Sequence, residues 1–278
     1  MSSHQAIRFY HRGRTVDVAG VAPTRTVLDW LREDAHCTGT KEGCNEGDCG
    51  ACTVVIGELP QDGSGTLELK TVNACMQFVP TLHGKALFTV EDLKEMSGAA
   101  LHPVQQAMVE CHGSQCGFCT PGFVMSLWAA YERHRGAGTR PDRVALADEL
   151  AGNLCRCTGY RPILDAGQRM FELPPVRLDA NPVAKALREI SRAAWSYAAE
   201  GSSFHAPATI DELADLCERL PTARLLAGST DISVWVNKQF RDLGDVIYLG
   251  RVRALQRIEE HAGELREALT EWVKSQSG

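Results

Sequence analysis

The chain has 278 residues, a length that suggests about two domains. Its 44% hydrophobic and 23% charged residues are ordinary for a globular protein and exclude a wholly disordered chain. The net charge of -6 and the lack of any Lys/Arg block give no electrostatic footprint for nucleic acid. The longest apolar stretches, such as residues 122–130, are about half the length of a membrane span, and the N-terminus lacks the apolar segment of a Sec signal. We therefore expect a cytoplasmic protein with no membrane span.

The first 90 residues have the pattern of a small mixed sheet with one helix packed on it. Residues 5–18 predict a hairpin that turns at Gly13, and residues 24–32 predict a helix capped by Thr24 or Thr26. Residues 38–52 hold four glycines among mostly polar residues, which predicts a loop. A turn is expected at 61–65, and further strands at 53–56, 67–69 and 87–90. This arrangement is typical of the β-grasp fold.

Helical patterns dominate after Glu91. Four short helices are expected, at residues 103–110, 121–131, 142–151 and 163–171. A Pro-rich connector at 173–182 precedes a further helix at 210–220 and a strand at 224–227. In the tail, apolar residues step by three and four from Leu255 to Trp272, which predicts an amphipathic helix.

The first cysteine set is Cys44-x4-Cys49-x2-Cys52, with Cys75 following after 22 intervening residues. This is the plant-type [2Fe-2S] spacing, in which a glycine-rich loop wraps the cluster and directs N–H groups at the sulfurs. A four-cysteine zinc site is the alternative, but such sites favour two short pairs.

The second cysteine set is Cys116-x2-Cys119 followed by Cys155-x-Cys157. Two short pairs suit zinc better than the first spacing does, so the residues alone leave zinc or a second cluster open. Neither set includes a histidine, which disfavours a Rieske cluster. We interpret the remaining cysteines as small packed side chains without a nucleophilic role, because no base is evident beside them: Cys37, Cys111 and Cys217.

Three segments carry a resemblance to a known family: TGTKEGCNEGDCGACTVV from Thr38, GSQCGFCTPGFVMS from Gly113 and AGNLCRCTGYRPI from Ala151. In sequence and order they resemble the iron-sulfur part of the molybdenum hydroxylases, the relatives of xanthine dehydrogenase and aldehyde oxidase. The later stretches SSFHAPATIDELADL and ARLLAGSTDISVWVNKQF resemble the start of the family's flavin domain. Fusion of these three parts resembles the small subunit of bacterial xanthine dehydrogenases.

The resemblance implies an α+β chain with two [2Fe-2S] clusters. A β-grasp ferredoxin-like domain would span residues 1–90, a four-helix cluster domain 91–172, a linker 173–200 and a partial α/β FAD-binding domain 201–278. The second set would then hold a cluster too. The family's second flavin motif, of the GGN-x-A-x-GSP type, does not occur in this sequence. Either the chain is truncated or another chain completes the flavin domain.

The resemblance also implies an electron path from a molybdopterin on a large partner subunit, through the Cys116 set, the Cys44 set and FAD, to NAD+ or another acceptor. This chain would perform no catalytic step itself. Gln115 and Cys157 would contact the molybdopterin. The FAD diphosphate would lie on Leu225, Leu226, Ala227, Gly228, Ser229, Thr230, Asp231 and Ile232. The assembly would be a heterodimer that pairs into a dimer of heterodimers. Oxidation of aldehydes or N-heterocycles instead of purines is an alternative, and a zinc-stapled adaptor without redox chemistry is a more distant one.

Overall fold

A computed structural model describes residues 6–60, 67–98, 100–190, 193–256, 258–261 and 264–267 of the chain. Two sheets and a bundle of helices pack around two main apolar cores. The predicted α+β class is confirmed. The turn predicted at 61–65 lies outside the described residues.

The first sheet has five strands in the order β2-β1-β5-β3-β4. β1 and β2 form the predicted antiparallel hairpin, whereas β1 and β5 run parallel, as a β-grasp sheet requires. The strands are β1 (Ile7–His11), β2 (Arg14–Val18), β3 (Thr53–Glu58), β4 (Glu68–Asn73) and β5 (Ala86–Phe88). The Thr26 hydroxyl accepts the Asp29 amide at 3.1 Å, so the predicted cap begins the helical turn α1 (Val27–Asp29). This turn continues as a π-helical segment at Trp30–Asp34.

Five helices follow, and four of them match the predicted bundle. They are α2 (Val90–Met96), α3 (Pro103–Glu110), α4 (Thr120–Ala137), α5 (Arg143–Glu149) and α6 (Arg161–Arg169). α4 is apolar on most of its surface because it lies in the centre of the core, between strand β3 and the other helices. Its C-terminus stops at Gly138, whose φ of 66° places the cap in the left-handed region.

The rest of the chain forms a second sheet with the order β6-β7-β9-β8. Its elements are α7 (Ala180–Glu189), β6 (Trp195–Ala199), β7 (Ser202–Ala206), α8 (Ile210–Arg219), β8 (Arg224–Leu226), α9 (Ile232–Asn237) and β9 (Val246–Tyr248). This sheet shares an apolar core with the first one. The Tyr197 hydroxyl donates to the Val21 carbonyl at 2.7 Å, and half-buried Lys85 lies between Glu58 and Tyr248. These contacts fix the last part of the chain against the first sheet.

The amphipathic helix predicted from Leu255 to Trp272 is wrong where the structure describes that segment. A two-stranded antiparallel hairpin occurs there instead, formed by β10 (Ile258–His261) and β11 (Glu264–Glu267). Two residues, Ala262 and Gly263, separate the strands, and two-residue connections containing glycine are the commonest in hairpins. Glycine in a helix interior costs about 1 kcal/mol relative to alanine, so the same residues disfavour the helix. Residues 268–278 lie outside the described part.

Candidate iron-sulfur centres

The first cysteine set lies on and beside the loop between the π-helical segment and β3. Cys44, Cys49 and Cys52 lie on this loop, and Cys75 reaches it from a short 3₁₀ helix, Ala74–Met76, that directly follows β4. The Sγ atoms of Cys52 and Cys75 lie 3.4 Å apart. β3 and β4 pair with Thr53 opposite Asn73. This register places Cys75, which follows β4, beside the loop that precedes β3.

Backbone amides point at the sulfur of Cys44, which accepts from the N–H of Asp48 at 3.3 Å and of Cys49 at 3.4 Å. Burial opposes ionisation of Cys44, but the amides that follow it in the loop outweigh burial and hold its pKa below the usual range. Hydrogen bonding between Cys52 and Cys75 lowers the pKa of Cys52 to about 7 and raises that of Cys75. Burial raises the pKa of Cys49. Cys44 and Cys52 are therefore the two members of the set that most readily form thiolates, the form in which cysteine binds iron.

Glycine at position 43 leaves room for this arrangement. A Cβ there would lie 2.7 Å from the Sγ of Cys49, closer than any side chain tolerates. The donor set of four thiols, with amides directed at one sulfur and a backbone that approaches another, fits a [2Fe-2S] cluster.

The second set lies at the ends of the helical part. Cys116 and Cys119 precede α4, and Cys155 and Cys157 lie in the loop before α6. The Sγ atoms of Cys116 and Cys157 are 3.5 Å apart, so two residues 41 positions apart meet. Burial raises the pKa of Cys119 to about 12, whereas the Phe118 amide lowers the pKa of exposed Cys116.

Further contacts shape the loop of the second set. Cys155 is buried, and its sulfur accepts the Thr158 amide at 3.5 Å. The Cys155 amide in turn donates to the hydroxyl of Tyr160 at 3.1 Å. Tyr160 has a φ of 68°, a strained value for a tyrosine, immediately before α6. Four thiols with an amide directed at one sulfur again fit a [2Fe-2S] cluster.

One hydrogen bond joins the two sets directly. The carbonyl of Cys49 accepts the amide of Leu154 at 2.9 Å, and Leu154 precedes Cys155. The adjacent Asn153 side chain donates to the Gly50 carbonyl and the Thr53 hydroxyl, both at 3.0 Å. The cysteine spacing did not predict this contact, although Asn153 belongs to the AGNLCRCTGY segment.

Close backbone packing accompanies this bridge. Gly50 has a φ of 68°, and a Cβ there would lie 2.2 Å from the carbonyl oxygen of Gly152. Only glycine allows the two cysteine loops to approach to this distance.

The residues expected at the molybdopterin lie beside the second set. Gln115 is exposed in the loop before α4, and Cys157 is exposed at the tip of the opposing loop. The contact between Cys116 and Cys157 brings them to the same end of the helical part.

The residues expected at the FAD diphosphate connect β8 to α9. Leu225, Ala227, Gly228, Thr230 and Asp231 are exposed, Ile232 is half-buried, and Leu226 and Ser229 are buried. Ser229, rather than Gly228, adopts the left-handed conformation, with a φ of 72°. Its hydroxyl is held by that of Ser233 at 2.9 Å. This bond holds Ser229 in a left-handed conformation that glycine adopts more readily than serine.

The three remaining cysteines are not part of either set. Cys111 and Cys217 are half-buried against apolar clusters, and Cys37 is 2% exposed, as expected of packed side chains. The expectation that no base lies beside them is wrong for Cys37, whose Sγ is 3.7 Å from the Nε2 of His11. The two residues come from separate elements, so spacing along the chain did not indicate the pair.

Two broader observations concern the part of the chain that the structure describes. Its helices include none both long and apolar enough to cross a membrane. Nowhere in these residues do three His, Cys, Asp or Glu side chains converge around one point as they would around a single metal ion.

Family models match three successive segments of the chain. A 2Fe-2S iron-sulfur cluster binding domain matches residues 9–79, and a [2Fe-2S] binding domain matches 89–168. An FAD binding domain in molybdopterin dehydrogenase matches 198–268. The three matches cover both cysteine sets and the loop from β8 to α9.

Individual relatives agree with these matches. Aldehyde oxidase 1 of Cavia porcellus is 46% identical over 160 residues, which are 58% of this chain and 12% of that protein. Xanthine dehydrogenase of Drosophila subobscura is 31% identical over an alignment of 325 residues, which covers 94% of this chain and 24% of that protein. The crystal structure of the aldehyde oxidoreductase of Desulfovibrio desulfuricans matches with a TM-score of 0.50 and 27% identity, over 80% of this chain and 23% of that one.

The chain thus spans between about an eighth and a quarter of the length of these two curated relatives. From the cysteine sets, the folds around them and the three consecutive domain matches, we conclude that the chain belongs to the molybdenum hydroxylase family and carries two [2Fe-2S] domains followed by part of an FAD-binding domain.

Proposed function

We propose that this chain is the electron-transfer part of a cytoplasmic molybdenum hydroxylase of the xanthine dehydrogenase type. Electrons would enter from a molybdopterin on a large partner chain and leave through FAD to NAD+ or another acceptor. The chain itself would make and break no substrate bond. The observation that carries the proposal is the Cys49–Leu154 hydrogen bond, which connects the two cysteine sets.

The proposed ligands of the first cluster are Cys44, Cys49, Cys52 and Cys75, and those of the second are Cys116, Cys119, Cys155 and Cys157. When bound, each [2Fe-2S] cluster supplies a site that accepts and releases one electron. The protein contributes the thiolates, the amides directed at Cys44 and Cys155, and the apolar core that covers Cys52 and Cys75.

The connection between the sets is short. From Cys49 the route passes through its own carbonyl, across 2.9 Å to the Leu154 amide, and along the backbone to Cys155. The Asn153 bridge and the close approach at Gly50 fix this contact, and both Asn153 and Cys155 are buried. A fixed contact of this kind suits transfer between two redox sites.

The exposed end of the second set suits contact with another chain. Gln115 and Cys157 are exposed there, and Phe118, Leu154 and Tyr160 expose 38–51% of their surfaces around them. We propose that this end receives the molybdopterin-bearing partner and that the resulting heterodimer pairs further into a dimer of heterodimers.

Purine oxidation is the proposed reaction of the whole enzyme, since fusion of a flavin part to both cluster domains resembles the xanthine dehydrogenase small subunit. Aldehyde oxidation is the second candidate, because aldehyde oxidase 1 of Cavia porcellus is the more identical of the two curated relatives compared above. The substrate would bind the partner chain. Assay of the assembled enzyme with xanthine and with benzaldehyde separates the two candidates.

Metal analysis and EPR of the purified chain test the redox role. We expect about four irons and about four acid-labile sulfides per chain, and two distinguishable EPR signals after reduction. Stoichiometric zinc with no visible absorption would support the adaptor alternative and overturn the proposal.

A further inference from the structure

Helix α9, from the flavin part of the chain, ends directly on the loop of the first cysteine set. The side-chain amide of Asn237 donates to the carbonyl of Cys75 at 2.8 Å and to that of Asn45 at 3.4 Å. The ammonium of the next residue, Lys238, donates to the carbonyl of Cys44 at 2.5 Å. Two adjacent residues therefore contact both the first and the last cysteine of the set.

A buried contact anchors the helix in this position. The hydroxyl of Ser233, which is fully buried, donates to the carbonyl of Met76 at 2.8 Å, one residue beyond Cys75. The Ser233 hydroxyl in turn accepts the hydroxyl of Ser229, the strained residue of the flavin loop, at 2.9 Å. Consecutive hydrogen bonds thus connect the flavin loop (residues 225–232), α9 and the short 3₁₀ helix Ala74–Met76, which is called the Cys75 segment below.

Two opposite charges meet at the Cys44 side of this contact. The Lys238 ammonium lies 3.7 Å from the carboxylate of Glu46, which belongs to the cysteine loop. Both side chains are partly exposed, at 40% and 47%. The Lys238 ammonium nevertheless has a fixed position relative to the set, because it donates a hydrogen bond to the backbone carbonyl of Cys44.

The geometry points to Lys238 as the residue that sets the reduction potential of the first cluster, with Asn237 as the positioning residue that holds the Cys75 segment. This inference rests on the proposed function, since it requires a cluster at the Cys44 set. Reduction adds one negative charge to a cluster, and a nearby cation stabilises the reduced form, whereas an anion destabilises it. Lys238 therefore raises the potential, and Glu46 lowers it.

The test is a redox titration of the full chain, followed by EPR, with the first-cluster signal assigned as the one that Cys44→Ser abolishes. Lys238→Met should reduce the ratio of reduced to oxidised first cluster at a fixed applied potential by about tenfold, which corresponds to about 59 mV for one electron. Lys238→Arg keeps the charge and should behave as the parent protein does. Glu46→Gln should shift the same ratio in the opposite direction.

Two internal controls accompany these variants. The second cluster should titrate unchanged in each of them, because Lys238 contacts only the first loop. Lys70→Met removes an exposed lysine of β4, whose ion pairs to Glu58 and Glu68 involve neither set, and should leave the ratio unchanged.

An unchanged first-cluster potential in Lys238→Met, or a shift in the same direction in Lys238→Met and Glu46→Gln, would overturn the inference. Iron loss in Lys238→Met that Lys238→Arg prevents would also overturn it, because the lysine would then act in folding. A parent protein without a signal that depends on Cys44 would instead overturn the proposed function.

Discussion

At the level of single residues, the cysteines differ in what surrounds them. The proposed ligands receive amides or neighbouring thiols at their sulfurs, as at Cys44 and Cys116. Cys111 and Cys217 pack against apolar clusters instead. A thiolate in the first environment is stabilised for metal binding, whereas a thiol in the second only fills space.

We therefore predict that Cys44→Ser and Cys116→Ser each remove one cluster, about two irons per chain, because a missing thiolate leaves iron with an incomplete ligand set. Cys111→Ser and Cys217→Ser should keep both. Iron content and EPR of the purified variants measure this. Iron loss in Cys217→Ser as large as in Cys44→Ser would contradict the assignment.

His102 introduces a pH dependence at the start of α3. It is fully buried, caps the helix by accepting the Val104 amide at 3.3 Å, and packs edge-on against Tyr131. Burial lowers the pKa of His102 to about 4, from an ordinary value near 6.5. Between these two values the unfolded chain binds a proton that the folded chain does not, so stability is complete above pH 6.5 and is lost as the pH falls towards 4.

For His102 alone, lowering the pH from 7.5 to 5 should therefore cost about 2 kcal/mol of folding free energy. His102→Asn retains a good capping residue and removes the titrating group, so its stability should depend less on pH by this amount. Denaturant unfolding at several pH values, followed by circular dichroism, measures the difference. An equal pH dependence in both proteins would exclude His102 as its source.

At the level of elements, the contact between the two cysteine loops depends on Asn153. Its amide group donates to Gly50 and Thr53, and its oxygen accepts the Ser126 hydroxyl at 2.6 Å. Every polar atom of this buried side chain has a partner. Replacing it removes three buried hydrogen bonds at once, although the Gly50 carbonyl and the Thr53 hydroxyl stay bonded to each other at 2.7 Å.

We predict that Asn153→Ala destabilises the chain by about 2–4 kcal/mol, because it removes three buried hydrogen bonds worth about 0.5–1.5 kcal/mol each and leaves the Ser126 hydroxyl without this partner. Ser126→Ala removes one of these bonds and should cost about 1 kcal/mol. Denaturant midpoints of the two variants, measured together with iron content, establish the order. A larger loss in Ser126→Ala than in Asn153→Ala would contradict the bridging role.

The elements that the sequence predicts well are those specified by neighbouring residues. Pro103 at the first helical position and the apolar spacing that follows define α3, and both of its predicted ends agree with the structure. The segment after Leu255 shows the opposite case. A run of apolar residues at intervals of three and four fits a helix, yet the backbone there pairs as β10 and β11. Periodicity does not register that a glycine at position 263 disfavours a helix interior.

Contacts between distant parts of the chain are the features that spacing cannot predict. Lys238 and Cys44 are 194 positions apart, and Asn153 and Gly50 are 103 apart. These residues meet because α9 and the helical part both pack on the first cysteine loop. Nothing in the local pattern of any of these segments indicates that packing.

At the level of the whole molecule, the flavin part is a four-stranded sheet whose β8 edge has no further strand among the described residues. The loop after β8 is the described stretch that resembles a diphosphate contact, and Leu225 next to it remains 49% exposed. A buried cofactor needs walls on more than one side. The amphipathic helix predicted for the tail is replaced by a hairpin in the described part of that segment.

We therefore predict that the isolated chain binds FAD weakly or not at all, because the loop from β8 to α9 gives only part of the contacts that an isoalloxazine and a diphosphate require. FAD released by heat from the purified chain, and from its complex with the molybdenum-containing chain, measures this. The matched variant is Gly228→Trp, which places a large side chain in the exposed loop. Its iron content is measured as well, because the Gly228 carbonyl accepts the side chain of Gln77 at 3.5 Å, two residues beyond Cys75. FAD in the complex that Gly228→Trp abolishes would show that a partner completes the site around this loop. Stoichiometric FAD on the isolated chain would show that the loop and the present sheet suffice.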